Sequence, residues 1–165
     1  MAVEFSNDHC LEVPPYVVGA LLGDGCLVNL MPSFCTMDVE VDEEISRWAE
    51  SIGCKIGRYE KKGSKAWNAN ISDPSANRYV ENGARVELKK IGIYGHDAGS
   101  KHVPEIYKTS SRDERLEILA GLIDTDGYKS RNGFDWISKS ERLADDMVFL
   151  CRSVGLSAYL SLIHI

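Results

Sequence analysis

Two aspartates stand at matching places in the chain. Asp24 follows Val17-Val18-Gly19-Ala20-Leu21-Leu22-Gly23, and Asp126 follows Leu119-Ala120-Gly121-Leu122-Ile123-Asp124-Thr125, 102 residues further on (126 − 24). A glycine comes after each, Gly25 and Gly127. Two carboxylates brought side by side repel one another, and a shared hard divalent cation relieves the repulsion. Mg2+ characteristically takes one or two carboxylates and fills its shell with water and phosphate oxygens. A metal held in this way stabilises the attacking and leaving oxygens of phosphodiester hydrolysis. The expected metal ligands are therefore Asp24 and Asp126, with the main-chain carbonyls of Gly23 and Thr125 beside them, for Mg2+ or Mn2+. The plainer reading of either motif alone is an Asp-Gly pair that closes a helix and opens a turn.

An internal repeat argues against the plainer reading. The same offset pairs Gly19 with Gly121, Phe34 with Trp136, Thr36 with Ser138, Ile45 with Met147 and Trp48 with Leu150. It also aligns Ser51-Ile52-Gly53 with Ser153-Val154-Gly155. One gapless offset over roughly 35 residues marks two copies of one unit. The second copy, about 112 to 165, matches only about 10 to 63 of the first, so it reads as incomplete. The expected division is an N-terminal segment (1–13), a first unit (14–108) and a second unit (109–165).

The elements that must carry the acids follow from periodicity and caps. Pro14 and Pro15 open a helix over 14–24, and Ser111 with Glu114 forms a capping box for a helix over 112–125. Strands are expected over 26–30 and 33–37, with a turn at Met31-Pro32, and over 127–131 and 134–138, with a turn at Asn132-Gly133. Helices over 42–52 and 140–154 have apolar residues at helical spacing and end at Gly53 and Gly155. Further strands are expected at 55–61, 66–71 and 157–163, then a helix at 84–92 and a loop through Gly99–Tyr107. The fold class is α+β, each unit reading αββαββα. Gly19 and Gly23 on one leading helix, and Ala120 and Gly121 on the other, are small enough to let two backbones approach closely. Packed in parallel, these helices end together and make neighbours of Asp24 and Asp126.

Composition limits the partners. The net charge is −6, yet residues 51–110 hold eleven bases and six acids, while residues 1–50 hold ten acids and one base, Arg47. A polyanion responds to the local face rather than to the chain average. No apolar run approaches the ~20 residues that span a bilayer, and the N-terminus lacks the pattern of a signal peptide. Five cysteines with no CxxC pair fit buried or half-buried free thiols and a reducing cytoplasm. A calcium loop starting at Asp124 fails because Lys129 stands where glycine is required. The four histidines have no metal spacing, and no elbow motif supports a Ser/His/Asp triad. Tyr94 and Tyr107 read as packing residues.

Gly19-Ala20-Leu21-Leu22-Gly23-Asp24-Gly25 and Leu119–Gly127 resemble the two signature motifs of the LAGLIDADG homing endonucleases. The second copy departs from the family motif only at Thr125. The first has Leu22 in place of the first acid, which is not the metal-ligating one. Lys101-His102-Val103-Pro104, upstream of the second motif, resembles the K-x-[IV]-P segment of nuclease domains carried inside inteins, where the lysine assists catalysis. The resemblance implies catalytic roles for Asp24, Asp126 and Lys101. It also implies two pseudo-symmetric units whose antiparallel sheets form a saddle over double-stranded DNA. Strand residues then contact DNA: Lys55, Arg58, Lys61, Lys62, Lys65, Asn68 and Asn70 in the first unit, Lys129 and Arg131 in the second. Lys and Arg suit phosphates, while Asn and Arg can read base edges.

The expected activity is site-specific, double-strand, metal-dependent DNA cleavage by a monomer. It would act in the cytoplasm, nucleoid-associated when on DNA, with a host protein as partner if the unit belongs to an intein. Protein splicing is not expected of the chain itself. The alternative is a non-cleaving DNA- or RNA-binding protein of the same fold, a maturase or regulator. Acid–base chemistry on a small substrate finds no pocket signature or sugar-stacking pattern to support it.

Overall fold

Helix α1 (Pro15–Asp24) has no polar face, and seven of its ten residues are buried, as befits a helix wrapped by protein on all sides. In this computed structural model, which describes residues 2–5, 10–60 and 63–161, most other elements cover α1 and its repeat mate. The first unit continues with β1 (Gly25–Cys26), β2 (Ser33–Thr36), α2 (Val39–Ser51), β3 (Lys55–Glu60), β4 (Trp67–Ser72) and α3 (Gly83–Lys90). A short helix, α4 (Glu105–Lys108), precedes the second unit. That unit comprises α5 (Arg112–Asp126), β5 (Gly127–Lys129), β6 (Phe134–Trp136) and α6 (Glu141–Ser153). The chain is α+β, with six helices and antiparallel strands among the described residues.

Local chemistry explains the boundaries. Asp38, Asn82, Ser111 and Ser140 accept backbone N–H bonds at the starts of α2, α3, α5 and α6, and Ser111 with Glu114 completes the capping box. Gly53 and Gly155 follow α2 and α6 with φ of 78° and 92°, the left-handed conformation that ends a helix. Gly25 and Gly127 differ: both are extended, and a Cβ on either would collide with a carbonyl one turn back, that of Leu21 or Ile123. The Asp-Gly glycines therefore serve close approach, not a left-handed turn.

The first sheet runs β1-β2-β4-β3 and is antiparallel throughout. Ser33 to Thr36 pairs with Asn70 to Trp67, and Lys55 to Glu60 pairs with Ser72 to Trp67. Phe34, Ala69 and Ile71 face the helices and join the core with Ile45, Ala49 and Leu88. The second sheet, among the described residues, is the β5-β6 hairpin alone.

Several elements differ from expectation. β1 is two residues long because the chain leaves the ladder early: the Leu27 carbonyl accepts from Gly95 N at 2.9 Å, and that of Asn29 from the Tyr94 hydroxyl at 2.9 Å. The segment 99–107 runs into α4, with Pro104 at its N-cap, Glu105 in its first turn and Lys108 in its last, the two charges each suited to its end of the helix. The strand expected over 157–163 does not form through residue 161. Instead Arg152 binds the Ala158 carbonyl at 3.2 and 2.9 Å and turns the chain back onto the end of α6. Residues 162 and 163 lie outside the described residues. Among the cysteines, all free, Cys54 and Cys151 are buried and Cys26 and Cys35 partly so, but Cys10 is exposed. Tyr107 is fully buried and donates to the Val13 carbonyl at 2.8 Å, a packing role as expected.

Val3 and Phe5, in the N-terminal segment, pack on the second unit. Val3 N donates to the Ser153 carbonyl at 2.8 Å, Phe5 stacks on Phe149, and the fully buried Arg115 guanidinium lies 4.7 Å from the Phe5 ring centre. None of the described helices is long and apolar enough to cross a membrane.

The seam between α1 and α5 is built backbone to backbone. A Cβ on Gly19 would strike the Ile118 carbonyl, and one on Gly121 would lie 2.7 Å from Ala20 N and closer still to the Tyr16 carbonyl. A Cβ added at Gly23 would meet the Thr125 side chain. Ala120, expected in this seam, lies on the exposed face of α5. The seam positions of α5 are Ile118, Gly121, Leu122 and Thr125, spaced i, i+3, i+4 and i+7, and Ala120 falls outside that stripe.

Gly121→Ala should cost about 1–3 kcal/mol, as overpacking does, and lower the melting temperature by several degrees. Ala120→Ser should change it little. A Gly121→Ala melt that overlays wild type would refute the close seam. The outer edge of β6 has no partner strand among the described residues, and Tyr128, Phe134 and Ile137 nearby are 74%, 59% and 73% exposed. Concentration-dependent self-association is the expected behaviour of such an edge, checked by sedimentation; a monodisperse sample at every concentration contradicts it.

Candidate active site

The parallel course of α1 and α5 brings their acidic ends together. The Cβ position of Gly23 lies 3.3 Å from Asp126 Oδ2, and Asp126 acts on Asp24 as a neighbouring negative charge. Burial, then the charge of Asp126, raises the Asp24 carboxyl to about 6, with Lys101 acting in the opposite direction. Asp126 is raised as well, by burial, again opposed by Lys101. Neither helix has a basic residue in its last turn. The acids thus sit at the negative ends of two helix dipoles, an arrangement that favours a cation.

Lys101 reaches this point from the segment between the units. It is 6% exposed, and its ammonium donates to the carbonyls of Gly25 (2.8 Å), Gly23 (2.9 Å) and Leu21 (3.4 Å). The Gly23 carbonyl is one that the end of α1 leaves without a helical partner, while that of Leu21 also accepts from Gly25 N. Burial lowers the Lys101 pKa, while Asp126 and Asp24 hold it up. The ammonium's three protons are therefore spent on backbone oxygens, and Gly23, an expected metal ligand, already accepts one of them.

The donor set suits a hard divalent ion. Asp24, Asp126 and the last-turn carbonyls offer only oxygen, and two carboxylates leave room for phosphate oxygens and water, the habit of Mg2+. No group of three or more His, Cys, Asp or Glu side chains positioned for a metal occurs among the described residues. The Thr125 hydroxyl is turned inward, donating to the Gly121 carbonyl at 2.9 Å, so only its main-chain oxygen can serve.

The expected DNA-contacting residues divide by sheet face. Alternation along β4 puts Asn68 and Asn70 on the face away from the helices, and the register places Tyr59 and Cys35 beside Asn68 and Ser33 beside Asn70. Lys55 joins that open face opposite Ser72. Arg58 is one residue out of phase and points to the α2 side. There the buried Asp42 accepts from its Nε at 2.9 Å, and from Trp67 Nε1 at 3.2 Å. Lys129 pairs with Phe134 two residues from the Gly127–Trp136 pair, and Trp136 Nε1 bonds the Leu122 carbonyl at 3.1 Å, so Lys129 also faces the helix side. Lys65 and Arg131 are exposed in turns, while Lys61 and Lys62 lie outside the described residues.

Sequence reasoning missed three features of the site. Tyr16 donates to Asp124 Oδ2 at 2.8 Å across the seam. Ser140 and Asp146 hold the backbone around Lys101. Tyr59 stands on the open sheet face with 59% exposure. A sequence signal existed only for Tyr59, from its alternation with Lys55.

Fold and site together define an α+β protein of two helix-led units joined along a seam that ends in two acids. I-DmoI, solved as a crystal structure in complex with DNA and Mn, has a similar fold. The TM-score is 0.57 at 13% identity, and the match covers 93% of this chain and 83% of that one. In sequence, the chain is 30% identical over 149 residues to the replicative DNA helicase DnaB of Mycobacterium intracellulare. That match takes in 90% of this chain but spans only 20% of the helicase. No family model matches the chain.

A raised carboxyl makes the folded chain the stronger proton binder. Ionising Asp24 therefore costs stability, beginning above its ordinary value of 3.8 and complete above about 6. In metal-free buffer, Asp24→Asn should melt above wild type at about pH 7, with the gap closing toward about pH 4. Adding Mg2+ should raise the wild-type melting temperature and not that of the variant. A gap independent of pH would contradict this electrostatic account.

Proposed function

We propose that the chain is a double-motif LAGLIDADG endonuclease unit that binds duplex DNA and hydrolyses both strands with Mg2+ or Mn2+. The observation that carries this reading is the pair Asp24 and Asp126, delivered to one point by a glycine seam. A bound divalent ion would supply charge stabilisation to the oxygens of the phosphodiester under attack. Asp24 and Asp126 would hold it, with the main-chain oxygens of Gly23 and Thr125 as further ligands. Lys101 would keep the end of α1 neutralised while the acids are charged, a positioning task alongside the assistance to catalysis that the family resemblance implies.

The open face of the first sheet would form one half of the saddle. Asn68 and Asn70 would read base edges there, and Lys55 and Lys65 would meet phosphates. Arg58 could reach DNA only around the rim of β3, since Asp42 claims its guanidinium. The fold it shares with I-DmoI, solved with DNA and Mn, supports a DNA substrate. An intein origin draws on the Lys101–Pro104 segment and on a match that lies within a much longer helicase chain. The unit would act as a monomer inside the cell, and the longer protein would be its host. The competing reading is a protein of the same fold that binds nucleic acid and does not cut.

Incubation with a randomised duplex library and Mg2+ separates the two. Specific double-strand breaks are expected. Asp126→Asn should reduce them by about a hundredfold or more, as losing several kcal/mol of transition-state stabilisation would, with DNA affinity retained. Binding without cleavage by wild type would favour the non-cleaving protein.

A further inference from the structure

Lys101 lies outside either helix of the seam, yet its ammonium meets the end of α1 with three bonds. What fixes it there is α6, an element of the second unit. Ser140, the 1%-exposed N-cap of α6, accepts from Leu143 N at 3.2 Å and donates its hydroxyl proton to the Lys101 carbonyl at 2.7 Å. Asp146, 6% exposed and two turns on, accepts from Val103 N at 2.8 Å and from Lys108 Nζ at 3.0 Å. Lys101 N is tied to the Asp97 carbonyl at 3.1 Å. The backbone is thus held at the lysine's own N–H and C=O and again at Val103, and two of these bonds come from α6.

Burying a carboxylate is costly unless its oxygens are bonded. Asp146 meets that condition through the backbone of the lysine segment and through Lys108. Ser140 serves two masters with one hydroxyl: it caps α6 as acceptor and pins Lys101 as donor. A capping residue needs only the first of these, so the second contact calls for its own explanation.

We propose that Ser140 and Asp146 are positioning residues which hold the Lys101–Val103 backbone so that the Lys101 ammonium stands on the carbonyls at the end of α1, beside Asp24. The second unit thereby sets the cationic group at the acidic end of the first unit's helix. Its effect on cleavage rests on the nuclease reading; its effect on Lys101 does not.

The test uses the whole chain and two readouts. Brief acetylation with acetic anhydride, read by peptide mass spectrometry, should label Lys101 far more slowly than the exposed Lys55 and Lys129. Ser140→Ala and Asp146→Asn should each speed Lys101 labelling about tenfold relative to Lys55, the scale of one lost buried hydrogen bond. Ser140→Thr, which keeps both donor and acceptor, should hold it near wild type. Ile71→Val, a small truncation in the first sheet, controls for general loosening and should leave the ratio unchanged. On DNA, the two disruptive variants should slow single-turnover cleavage about tenfold at unchanged affinity.

Lys101 as protected in Ser140→Ala and Asp146→Asn as in wild type would overturn the proposal, whether or not the chain cuts DNA. So would an equal rise in Ile71→Val. Failure of wild type to cleave, with the labelling pattern as expected, would reject the nuclease reading and leave the positioning of Lys101 standing.

Discussion

The contact on which the rest depends is the approach of two helix backbones at Gly19 and Gly121. No side chain separates them: a Cβ on either would collide with the other helix's main chain. Such an approach costs little in hydrogen bonding, because a helix satisfies its own interior N–H and C=O groups. It does require that both helices be free of polar groups on the faces that vanish. That is why Leu21, Leu22, Ile118 and Leu122 are fully or almost fully buried, and why the sheets and the outer helices must cover what remains. The register of this contact decides where each helix ends relative to the other. It is the register, more than any local preference, that makes Asp24 and Asp126 neighbours.

Bringing them together creates an electrostatic problem that the fold only partly solves. Two carboxylates lie at helix C-termini, where the dipole is already negative, and both are partly desolvated. The cation delivered to the spot among the described residues, Lys101, spends its bonds on carbonyls rather than on the acids. It calms the end of α1 and leaves the carboxylates short of a partner. A site that stays frustrated in this way gains most from a further cation, and its demand for one is set by the seam. Stability and chemistry are thus opposed at the same atoms, a common arrangement at functional sites.

Much of this was legible in the sequence, because the seam writes itself as small residues at helical spacing and the repeat writes it twice. The leading helices, the capping box at Ser111, the turns at Gly53 and Gly155 and the pairing of the acids all follow from local rules plus one offset. Sidedness was harder to read. Ala120 is small, yet it sits one residue from the stripe; Arg58 and Lys129 are basic and on strands, yet one residue out of phase with the open face. In a strand a shift by one position reverses the face, and composition does not report phase. The polar ties were beyond reach for another reason. Ser140 to Lys101 and Asp146 to Val103 join residues about forty apart whose proximity exists only once α6 has docked.

The repeat also explains the departure at Leu22 in the first motif. Where the second copy has Asp124, the first has Leu22, and where the first has Tyr16, the second has Ile118 at the same offset. Tyr16 and Asp124 meet across the seam through a hydrogen bond of 2.8 Å. Their counterparts, Ile118 and Leu22, are core residues exposed by no more than 1%. The exchange is therefore paired in the repeat: a hydroxyl and a carboxylate at one pair of positions, apolar side chains at the other. Asp124 lies on an exposed turn, where a carboxylate stays hydrated and can still accept from Tyr16. Leu22 lies where water does not reach, and a carboxylate buried there without a donor would be costly. The first acid of the motif is thus tied to the environment on its own side of the seam, whereas the second acid, Asp24 or Asp126, stands in both copies. That difference separates a residue that tunes the fit of two helices from the pair that the fit brings together.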